Sequence, residues 1–272
     1  MDLNFNKKWK LNNGVKIPCF GLGTWRLSGS TAKQAVIWAL EKGYRLIDTA
    51  AFYGNEREIG EGIKESGVNR EEIFITTKVW QSDFGYESTL NAFETSLQNL
   101  GMNYIDLYLI HWPRDGRYET WKALIKLYEE EKVRAIGVSN YTLKLLEELL
   151  KKSNVTPAIN QVEFSPFLYQ KDLLEYCKGN NIQLEAYCPL TRGNKLNHPV
   201  IQEISKKYNK STATILIRWS LQHQVIPIPK SGTKQHIYQN TEVFDFNLQK
   251  VDMDQLDKLN ENFRVVNDTI FD

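Results

Sequence analysis

The feature that most constrains the fold is an alternation, repeated eight times, of short apolar runs with amphipathic stretches of helical periodicity. The apolar runs are "CFGLG" (19–23), "RLIDT" (45–49), "IFITTK" (73–78), "YIDLYLIH" (104–111), "VRAIGVSN" (133–140), "PAINQVEF" (157–164), "IQLEAY" (182–187) and "QVIPIPKS" (224–231). Strands that are separated by helices form parallel sheets. Eight such units without a linker favour closure into a single α/β domain, a (β/α)₈ (TIM) barrel that spans residues 1–272.

Turn and cap residues mark the ends of the other predicted elements. The stretch "WKLNNGVKIP" predicts a small N-terminal β-hairpin that turns at Asn13-Gly14. A helix is predicted from Thr31 to Gly43, and another is predicted to open at Ser211. Further helices are predicted over "YESTLNAFETSLQNLG", "YETWKALIKLYEEEK", "LKLLEELLKK", "KDLLEYCKGN" and "PVIQEISKKY".

The alternative fold is an open, doubly wound Rossmann sheet. Its dinucleotide-binding fingerprint needs three glycines, and "GLGTWR" supplies only Gly21 and Gly23. A Walker loop is absent as well. The sequence therefore favours the barrel.

Charge and cysteine content exclude several classes of function. The 34 basic and 33 acidic residues leave a net charge of +1, which predicts no binding to nucleic acid or to anionic membranes. No signal peptide and no apolar run of membrane-spanning length are apparent. Three cysteines without short spacing (Cys19, Cys177 and Cys188) predict neither a disulfide framework nor a metal site. We therefore expect a cytoplasmic protein.

Four chemically active side chains follow neighbouring strands of the predicted barrel. Asp48 ends the second strand and Tyr53 follows it, Lys78 ends the third strand, and His111 ends the fourth. Each has an ordinary structural explanation alone: a turn-forming acid, a half-buried phenol, a solvated amine or a packed turn. Because active sites of such barrels lie at the carboxyl ends of the strands, the coincidence of all four favours a catalytic site.

The chemistry that fits these four groups is proton donation from a phenol. A free tyrosine has a pKa of about 10, which is too high for an efficient acid at neutral pH. We expect the Lys78 ammonium to lower the pKa of Tyr53, and we expect Asp48 to pair with Lys78 and hold it in place. A neutral His111 is predicted to orient a substrate oxygen.

Nearly the whole sequence resembles the aldo-keto reductases. The resemblance is carried by "GLGTW" (21–25), "LIDTAAFYGNE" (46–56), "TTKVW" (76–80), "DLYLIHWP" (106–113), "AIGVSN" (135–140), "NQVEF" (160–164), "AYCPL" (186–190), "IPKS" (228–231) and "VFDF" (243–246). It implies a (β/α)₈ barrel that binds a nicotinamide cofactor without a Rossmann motif and reduces carbonyls to alcohols. It also implies that Tyr53 is the proton donor, with Asp48 and Lys78 as partners and with His111 orienting the carbonyl.

The resemblance further implies a set of cofactor-binding residues. Tyr187 would stack on the nicotinamide, and Ser139, Asn140 and Gln161 would bind its carboxamide. The remaining positions are Thr24, Trp25 and Asp48 at the nicotinamide end, Pro189 and Leu190 after the stacking tyrosine, Lys230, Ser231 and Thr233 around the adenosine phosphate, His236 beside them, and Asn240 at the adenine.

Two departures from the family pattern affect the choice of cofactor. The family usually has an arginine that binds the 2′-phosphate, and His236 stands there in this sequence. A glutamate that is common before the adenine-contacting asparagine is replaced by Gln239. Lys230 still supplies a cation, so we expect NADPH, with weakened discrimination against NADH.

An aromatic substrate wall is predicted from Trp25, Phe52, Trp80 and Trp112, although each could instead be a core residue. The short connection "HWPRDGRYETW" and the end of the sequence soon after "DMDQLDKLNEN" predict an open pocket of the compact microbial type, similar to the diketo-gluconate reductases. We expect small aldehydes, α-keto aldehydes, diketones or sugar-derived carbonyls as substrates. Arg192 is interpreted either as an anion-binding residue or as a surface charge.

Two other functional classes remain open at this stage. Some barrels of the family are non-enzymatic partners of ion channels or lens proteins, and a channel partner would assemble into a tetramer, whereas we expect a monomer. A (β/α)₈ hydrolase with paired carboxylates is the third class; Glu163 is its candidate acid, but no partner carboxylate can be named.

Overall fold

The computed structural model describes residues 3–271, which form a strand-and-helix barrel preceded by a hairpin. The hairpin pairs β1 (Lys8–Lys10) antiparallel with β2 (Lys16–Pro18) across the predicted turn. The barrel strands are β3 (Leu22–Gly23), β4 (Leu46–Asp48), β5 (Phe74–Val79), β6 (Ile105–Ile110), β7 (Val133–Ser139), β8 (Ile159–Glu163), β9 (Gln183–Tyr187) and β10 (Ile226–Pro227). Within the described residues these eight strands form one parallel sheet in sequence order, which confirms the predicted fold.

Helices cover the outside of the sheet. They are α1 (Gly29–Lys42), α2 (Glu56–Glu65), α3 (Tyr86–Leu100), α4 (Arg117–Glu129), α5 (Leu143–Lys152), α6 (Lys171–Gly179), α7 (Pro199–Tyr208), α8 (Thr212–Gln222), α9 (Lys234–Gln239) and α10 (Lys250–Asp257). Along residues 3–271, no helix has the length and apolar character needed to cross a membrane. We propose that residues 1–272 form one domain. Met1, Asp2 and Asp272 lie outside the described residues.

The ends of two helices test the predicted caps. Helix α8 begins after Ser211, whose hydroxyl accepts a hydrogen bond from the Thr214 amide at 3.0 Å, as expected. Helix α1 ends at Gly43, which has a φ of +105°. The predicted start of α1 at Thr31 is too late in the sequence, because the helix begins at Gly29, directly after Ser28.

Closure of the barrel depends on a close approach of its first and last strands. Gly23 pairs with Lys230, and the Gly21 amide donates to the Pro227 carbonyl at 3.1 Å. A Cβ at Gly23 would lie 2.7 Å from the Ile228 carbonyl oxygen, so a side chain there would push the two strands apart. The glycine that looks like part of a nucleotide loop is therefore needed for barrel closure.

The strands bury both of their faces, which explains their nearly continuous apolar sequences. The inner face contributes a core that includes Leu46, Phe74 and Ile159, while the outer face packs against the helices. The inner face becomes polar toward the carboxyl ends of the strands, where Asp48 follows Leu46 on β4 and Gln161 follows Ile159 on β8, two residues on in each case.

Two helices, α2 and α9, were not identified from the sequence. Helix α2 contains Gly60 and Gly62, and glycines in a helix interior weaken the sequence pattern. The structure explains the first: a Cβ at Gly60 would lie 2.1 Å from the Leu100 carbonyl oxygen at the end of α3. Glycine is required there by packing between helices.

We predict that Gly60→Ala lowers the free energy of unfolding by about 2 kcal/mol, because the added methyl group forces α2 away from α3. Gly179→Ala is the matched control, since Gly179 also belongs to a helix but has no atom within 4 Å of the point that an added Cβ would occupy. There we expect a change within about 1 kcal/mol, in the stabilising direction. Urea denaturation measures both; equal effects would contradict the packing argument.

Candidate active site

A cavity of about 770 Å³ opens at the carboxyl ends of the barrel strands. Such a location is where the chemistry of (β/α)₈ enzymes takes place. Its walls include 16 of the positions predicted from the sequence: Thr24, Trp25, Asp48, Phe52, Tyr53, Trp80, His111, Trp112, Ser139, Asn140, Gln161, Tyr187, Pro189, Leu190, Lys230 and His236. The remaining predicted positions, Lys78, Ser231, Thr233 and Asn240, are not part of its lining.

Asp48 and Lys78 form a buried ion pair at the floor of this cavity. The Lys78 ammonium lies 2.8 Å from each Asp48 carboxylate oxygen and 2.8 Å from the Thr49 carbonyl oxygen. The Gln161 amide nitrogen donates to the second Asp48 oxygen at 2.7 Å. Burial raises the pKa of Asp48, and the charge and hydrogen bonds of Lys78 and Gln161 act in the opposite direction. The predicted pairing of Asp48 with Lys78 is present in the structure.

Tyr53 reaches the ion pair from a short turn of 3₁₀ helix that follows β4. Its hydroxyl oxygen lies 3.4 Å from the Lys78 ammonium nitrogen. The turn is held by Asn55, whose side-chain amide donates to the Thr24 and Leu27 carbonyls at 3.0 and 2.9 Å. The loop that carries the phenol is thereby tied to the loop that follows β3.

The expectation that Lys78 lowers the pKa of Tyr53 is wrong for this geometry. Burial raises the pKa of the phenol well above its ordinary value, and the negative charge of Asp48 raises it further. The physical reason is that burial and the charge of Asp48 together outweigh the effect of the ammonium, which lies 3.4 Å from the hydroxyl oxygen. Tyr53 therefore stays protonated at neutral pH, which is the state that a proton donor needs.

His111 follows β6 and faces the same group of residues. Its ring centroid lies 5.6 Å from that of Tyr53 and 5.0 Å from that of Trp80. Burial lowers the pKa of the imidazole well below its ordinary value, and the Lys78 charge lowers it further. The imidazole is neutral, as the sequence analysis expected. Its Nδ1 is buried without a hydrogen-bond partner among the described residues.

A second polar group lies on the other side of the cavity, at the ends of β7, β8 and β9. The Tyr187 hydroxyl donates to Asn140 Oδ1 at 2.7 Å, and Asn140 Nδ2 donates to the His111 carbonyl at 3.0 Å. The Ser139 hydroxyl donates to the Gln161 main-chain carbonyl at 2.9 Å. These side chains form one connected network, and Gln161 joins it to the Asp48–Lys78 pair.

The far end of the cavity carries the cationic side chain of a lysine beside a histidine. Lys230 and His236 are exposed and line it. Ser231 lies beside Lys230, and its hydroxyl accepts from the Thr233 amide at 3.2 Å where α9 begins. Asn240 is buried at the end of α9. The residues of this segment thus lie together, although only two of them face the cavity.

All four predicted aromatic residues line the cavity, and three of them stack into one wall. Phe52 stacks on Trp80 with ring centroids 3.8 Å apart and on Trp25 at 5.6 Å. Phe52 is 47% exposed, so it is a surface of the cavity and not a core residue. Trp112 lies at the rim, where its ring centroid is 6.0 Å from that of Phe271.

The segment after α10 contributes to the lining of the cavity. Both Glu163 carboxylate oxygens accept main-chain hydrogen bonds, from Val265 at 2.7 Å and from Val266 at 3.0 Å. Val266 and Asp268 line the cavity, and Asp268 forms an ion pair with Arg114. Glu163 is therefore engaged in holding this segment, which removes it as the acid of a hydrolase.

Several lining residues were not identified from the sequence. They include Arg26, Gln81, Arg114, Cys188, Leu196, Val266 and Asp268. Arg26, Gln81 and Arg114 directly follow recognised motifs, and Cys188 lies inside "AYCPL", so proximity to a motif was a usable signal for these four. Leu196, Val266 and Asp268 come from loops whose course no periodicity reveals. Arg192, for which two interpretations were open, also lines the cavity.

Comparisons with known proteins agree with this geometry. The model of the "Aldo/keto reductase family" matches residues 19–261. The chain is 54% identical to a glyoxal reductase of Bacillus subtilis (strain 168), over 94% of each chain. It is similar to the structure of the deep-sea metagenome aldo-keto reductase MGS-M4, with a TM-score of 0.93, 48% identity, and coverage of 95% of this chain and 97% of that one. A Bombyx mori aldo-keto reductase in complex with NADP gives a TM-score of 0.92 at 36% identity, covering 97% and 96%.

We predict strong energetic coupling between Asp48 and Lys78. Asp48→Asn or Lys78→Met alone should lower the free energy of unfolding by about 3–5 kcal/mol, because each leaves a buried charge unpaired. The double variant should lose much less than the sum of the two. Urea denaturation of all four proteins gives the coupling. The exposed pair Lys33–Glu65, changed in the same way, is the control and should show no measurable coupling. Additive effects at Asp48 and Lys78 would contradict the prediction.

Proposed function

Because the chain belongs to the aldo/keto reductase family, and so reduces aldehydes and ketones to alcohols with a nicotinamide cofactor, we propose that it prefers NADPH and that Tyr53 is its proton donor. The observation that carries the second part is the position of the Tyr53 hydroxyl, 3.4 Å from an ammonium that both oxygens of Asp48 hold in place. A protonated phenol thus lies at the floor of an aromatic cavity.

The proposed roles follow from the contacts of each side chain. A carbonyl oxygen that gains electron density during reduction needs a proton, and the buried Tyr53 hydroxyl holds one at neutral pH. As that proton leaves, Lys78 stabilises the negative charge that develops on the phenol oxygen, and Asp48 keeps Lys78 in position. The neutral His111 ring orients the carbonyl oxygen by a hydrogen bond from its cavity side.

The donor set of the cavity fits a nicotinamide cofactor, which supplies the hydride when it is bound. The carboxamide of such a ring needs both donors and acceptors, and Ser139, Asn140 and Gln161 offer hydroxyl and amide groups of both kinds. The ring of Tyr187 borders the same part of the cavity and would cover one face of the nicotinamide. Thr24, Trp25, Pro189 and Leu190 are proposed to complete this end.

The other end of the cavity fits an adenosine phosphate. Lys230 lines this end and is proposed to supply the cation. Ser231 and Thr233 lie beside the lining and are proposed to supply hydroxyl groups, and Asn240 is proposed to contact the adenine. His236 also lines the cavity, and we propose that it stands at the position from which the arginine of the family would bind the 2′-phosphate by two hydrogen bonds. We therefore propose NADPH as the preferred cofactor, with NADH as a weaker alternative.

The wall residues support small carbonyl compounds as substrates. Trp25, Phe52, Trp80 and Trp112 present apolar faces, and the segment of Val266 and Asp268 limits the space beside them. The similar Bacillus subtilis protein is a glyoxal reductase, and we propose α-dicarbonyls and simple aldehydes for this chain as well. We further propose that it works as a cytoplasmic monomer of 31.6 kDa.

A non-enzymatic role is disfavoured by the same geometry. A protein that only binds the cofactor has no need of the protonated phenol, the buried ion pair and the neutral imidazole that meet at one end of the cavity. Membership of an oxidoreductase family agrees with this interpretation.

We predict that Tyr53→Phe lowers kcat for glyoxal reduction by about 10²–10⁴-fold, because the proton donor is lost while the ring remains. Binding of NADPH, followed by quenching of tryptophan fluorescence, should survive. Tyr108→Phe is the matched control, since the Tyr108 hydroxyl is buried on the outer face of β6 and has no hydrogen-bond partner within residues 3–271. That variant should keep kcat. A Tyr53→Phe enzyme that turns over like wild type would remove Tyr53 as the acid.

We predict that His236→Arg raises the ratio of kcat/KM with NADPH to kcat/KM with NADH by roughly tenfold, since a guanidinium adds a charge-assisted hydrogen bond to the 2′-phosphate. The control is Gln235→Arg, which adds the same charge on the exposed surface of α9 at a position outside the cavity lining. Steady-state rates with both cofactors give the ratio. An equal rise in the two variants would indicate a general charge effect and not a contact at position 236.

A further inference from the structure

One buried acid of the barrel interior has no part in the roles described above. Glu185 lies in the middle of β9 and is 0% exposed. Neither of its carboxylate oxygens has a hydrogen-bond partner among the described residues. Side chains two residues apart on a strand share a face, so Glu185 faces the barrel interior below Tyr187. It therefore lies directly beneath the floor of the catalytic cavity.

The groups around Glu185 are those of the proposed catalytic centre. Its neighbour in register on β8 is Gln161, whose amide nitrogen donates to Asp48. The charged and titratable groups that act on Glu185 are Asp48 from β4 and Lys78 from β5, and Tyr53 in turn feels the charge of Glu185. On the opposite side its neighbour in register is the apolar Ile226 of β10. Among the described residues, Asp48 and Glu185 thus share one neighbouring ammonium, that of Lys78.

An enclosed carboxyl group without partners is far less costly uncharged than charged. Lys78 is already fully engaged by Asp48 and the Thr49 carbonyl, so it does not compensate a second anion. Burial raises the pKa of Glu185 to about 8 and the Asp48 charge adds to the rise, while the Lys78 charge and the neighbouring Gln161 side chain act in the opposite direction. Burial and the lack of hydrogen-bond partners therefore both favour the protonated, uncharged form of Glu185.

We propose that Glu185 is a positioning residue that works in its protonated, uncharged form, which leaves the Lys78 ammonium to Asp48 and Tyr53. When Glu185 loses its proton to solvent, it places a second negative charge beside Lys78. That charge opposes the build-up of negative charge on the Tyr53 oxygen and slows proton donation. Loss of this proton sets the alkaline limit of the reductase. The rate effect rests on the proposed role of Tyr53; the protonation state does not.

The first experiment measures the protonation state through stability and needs no turnover. An acid whose pKa is higher in the folded than in the unfolded state binds more protons when folded, so its contribution to stability falls as pH rises from the unfolded pKa to the folded pKa. Glu185→Gln removes this dependence. We expect the melting temperature of the variant, relative to wild type, to rise steadily between pH 5 and about 8. If the difference in melting temperature between Glu185→Gln and wild type does not change with pH, the proposal is overturned.

The matched control for both experiments is Glu56→Gln. Glu56 is also buried, but its oxygens accept hydrogen bonds from Thr77 at 2.7 Å and from Asn99 at 3.3 Å, on the other face of β5 from Lys78. This substitution removes a buried carboxyl group of the same size without touching the interior cluster. A rising difference in Glu185→Gln that also occurs in Glu56→Gln would be a general effect of lost acids and would overturn the assignment.

The second experiment is the pH profile of kcat for glyoxal reduction with NADPH. We expect the rate of wild type and of Glu56→Gln to fall above a pH of about 8, and the rate of Glu185→Gln to persist at least one pH unit further. Superimposed profiles of wild type and Glu185→Gln would overturn the tuning role. Tyr53→Phe distinguishes the proposed function from the proposal about Glu185. If that variant keeps its activity, Tyr53 is not the proton donor. The dependence of the melting temperature on pH still decides whether Glu185 carries a proton.

Discussion

The arrangement of the catalytic end depends on one interaction, the ion pair between Lys78 and Asp48 inside the barrel. A lysine that is 0% exposed is tolerable only when its charge and its three donors are satisfied, and here two carboxylate oxygens and the Thr49 carbonyl do so. That requirement fixes the end of β4 against β5. It also brings the turn after β4, and with it Tyr53, to the ammonium.

The barrel interior changes in character along its axis. Near the hairpin it is filled by aliphatic and aromatic side chains such as Leu46, Phe74 and Leu107, which supply stability without any need for hydrogen bonds. Toward the cavity the same inward positions carry Asp48, Lys78, Gln161 and Glu185. Polar side chains in such a place lower stability unless all are satisfied, so their concentration in one layer indicates selection for chemistry over packing.

The sequence predicted those parts of the molecule that depend on local pattern. All eight barrel strands, the hairpin and the four groups at the strand ends were found, because strand alternation and strand-end positions are visible in the chain itself. Helix α2 was not found, since Gly60 is explained only by its contact with α3.

Three features of the site were predicted wrongly or not at all, and each depends on residues far apart in sequence. The pKa of Tyr53 rises because burial and Asp48 outweigh Lys78, a balance of distances that no motif encodes. The unpartnered state of Glu185 depends on Lys78 being engaged by Asp48 from another strand. The lining by Val266 and Asp268 depends on Glu163, about a hundred residues earlier, which binds the main chain near them.

The hydrogen bonds by which Glu163 holds the main chain of Val265 and Val266 have one further consequence. The polar floor of the cavity and the part of its lining near Val266 come from stretches far apart in the sequence. Glu163 binds main-chain amides there, so its hydrogen bonds do not depend on which side chains residues 265 and 266 carry. Substitutions at these positions near the end of the sequence therefore change the wall of the cavity while the ion pair and the hydrogen bonds of its floor stay in place.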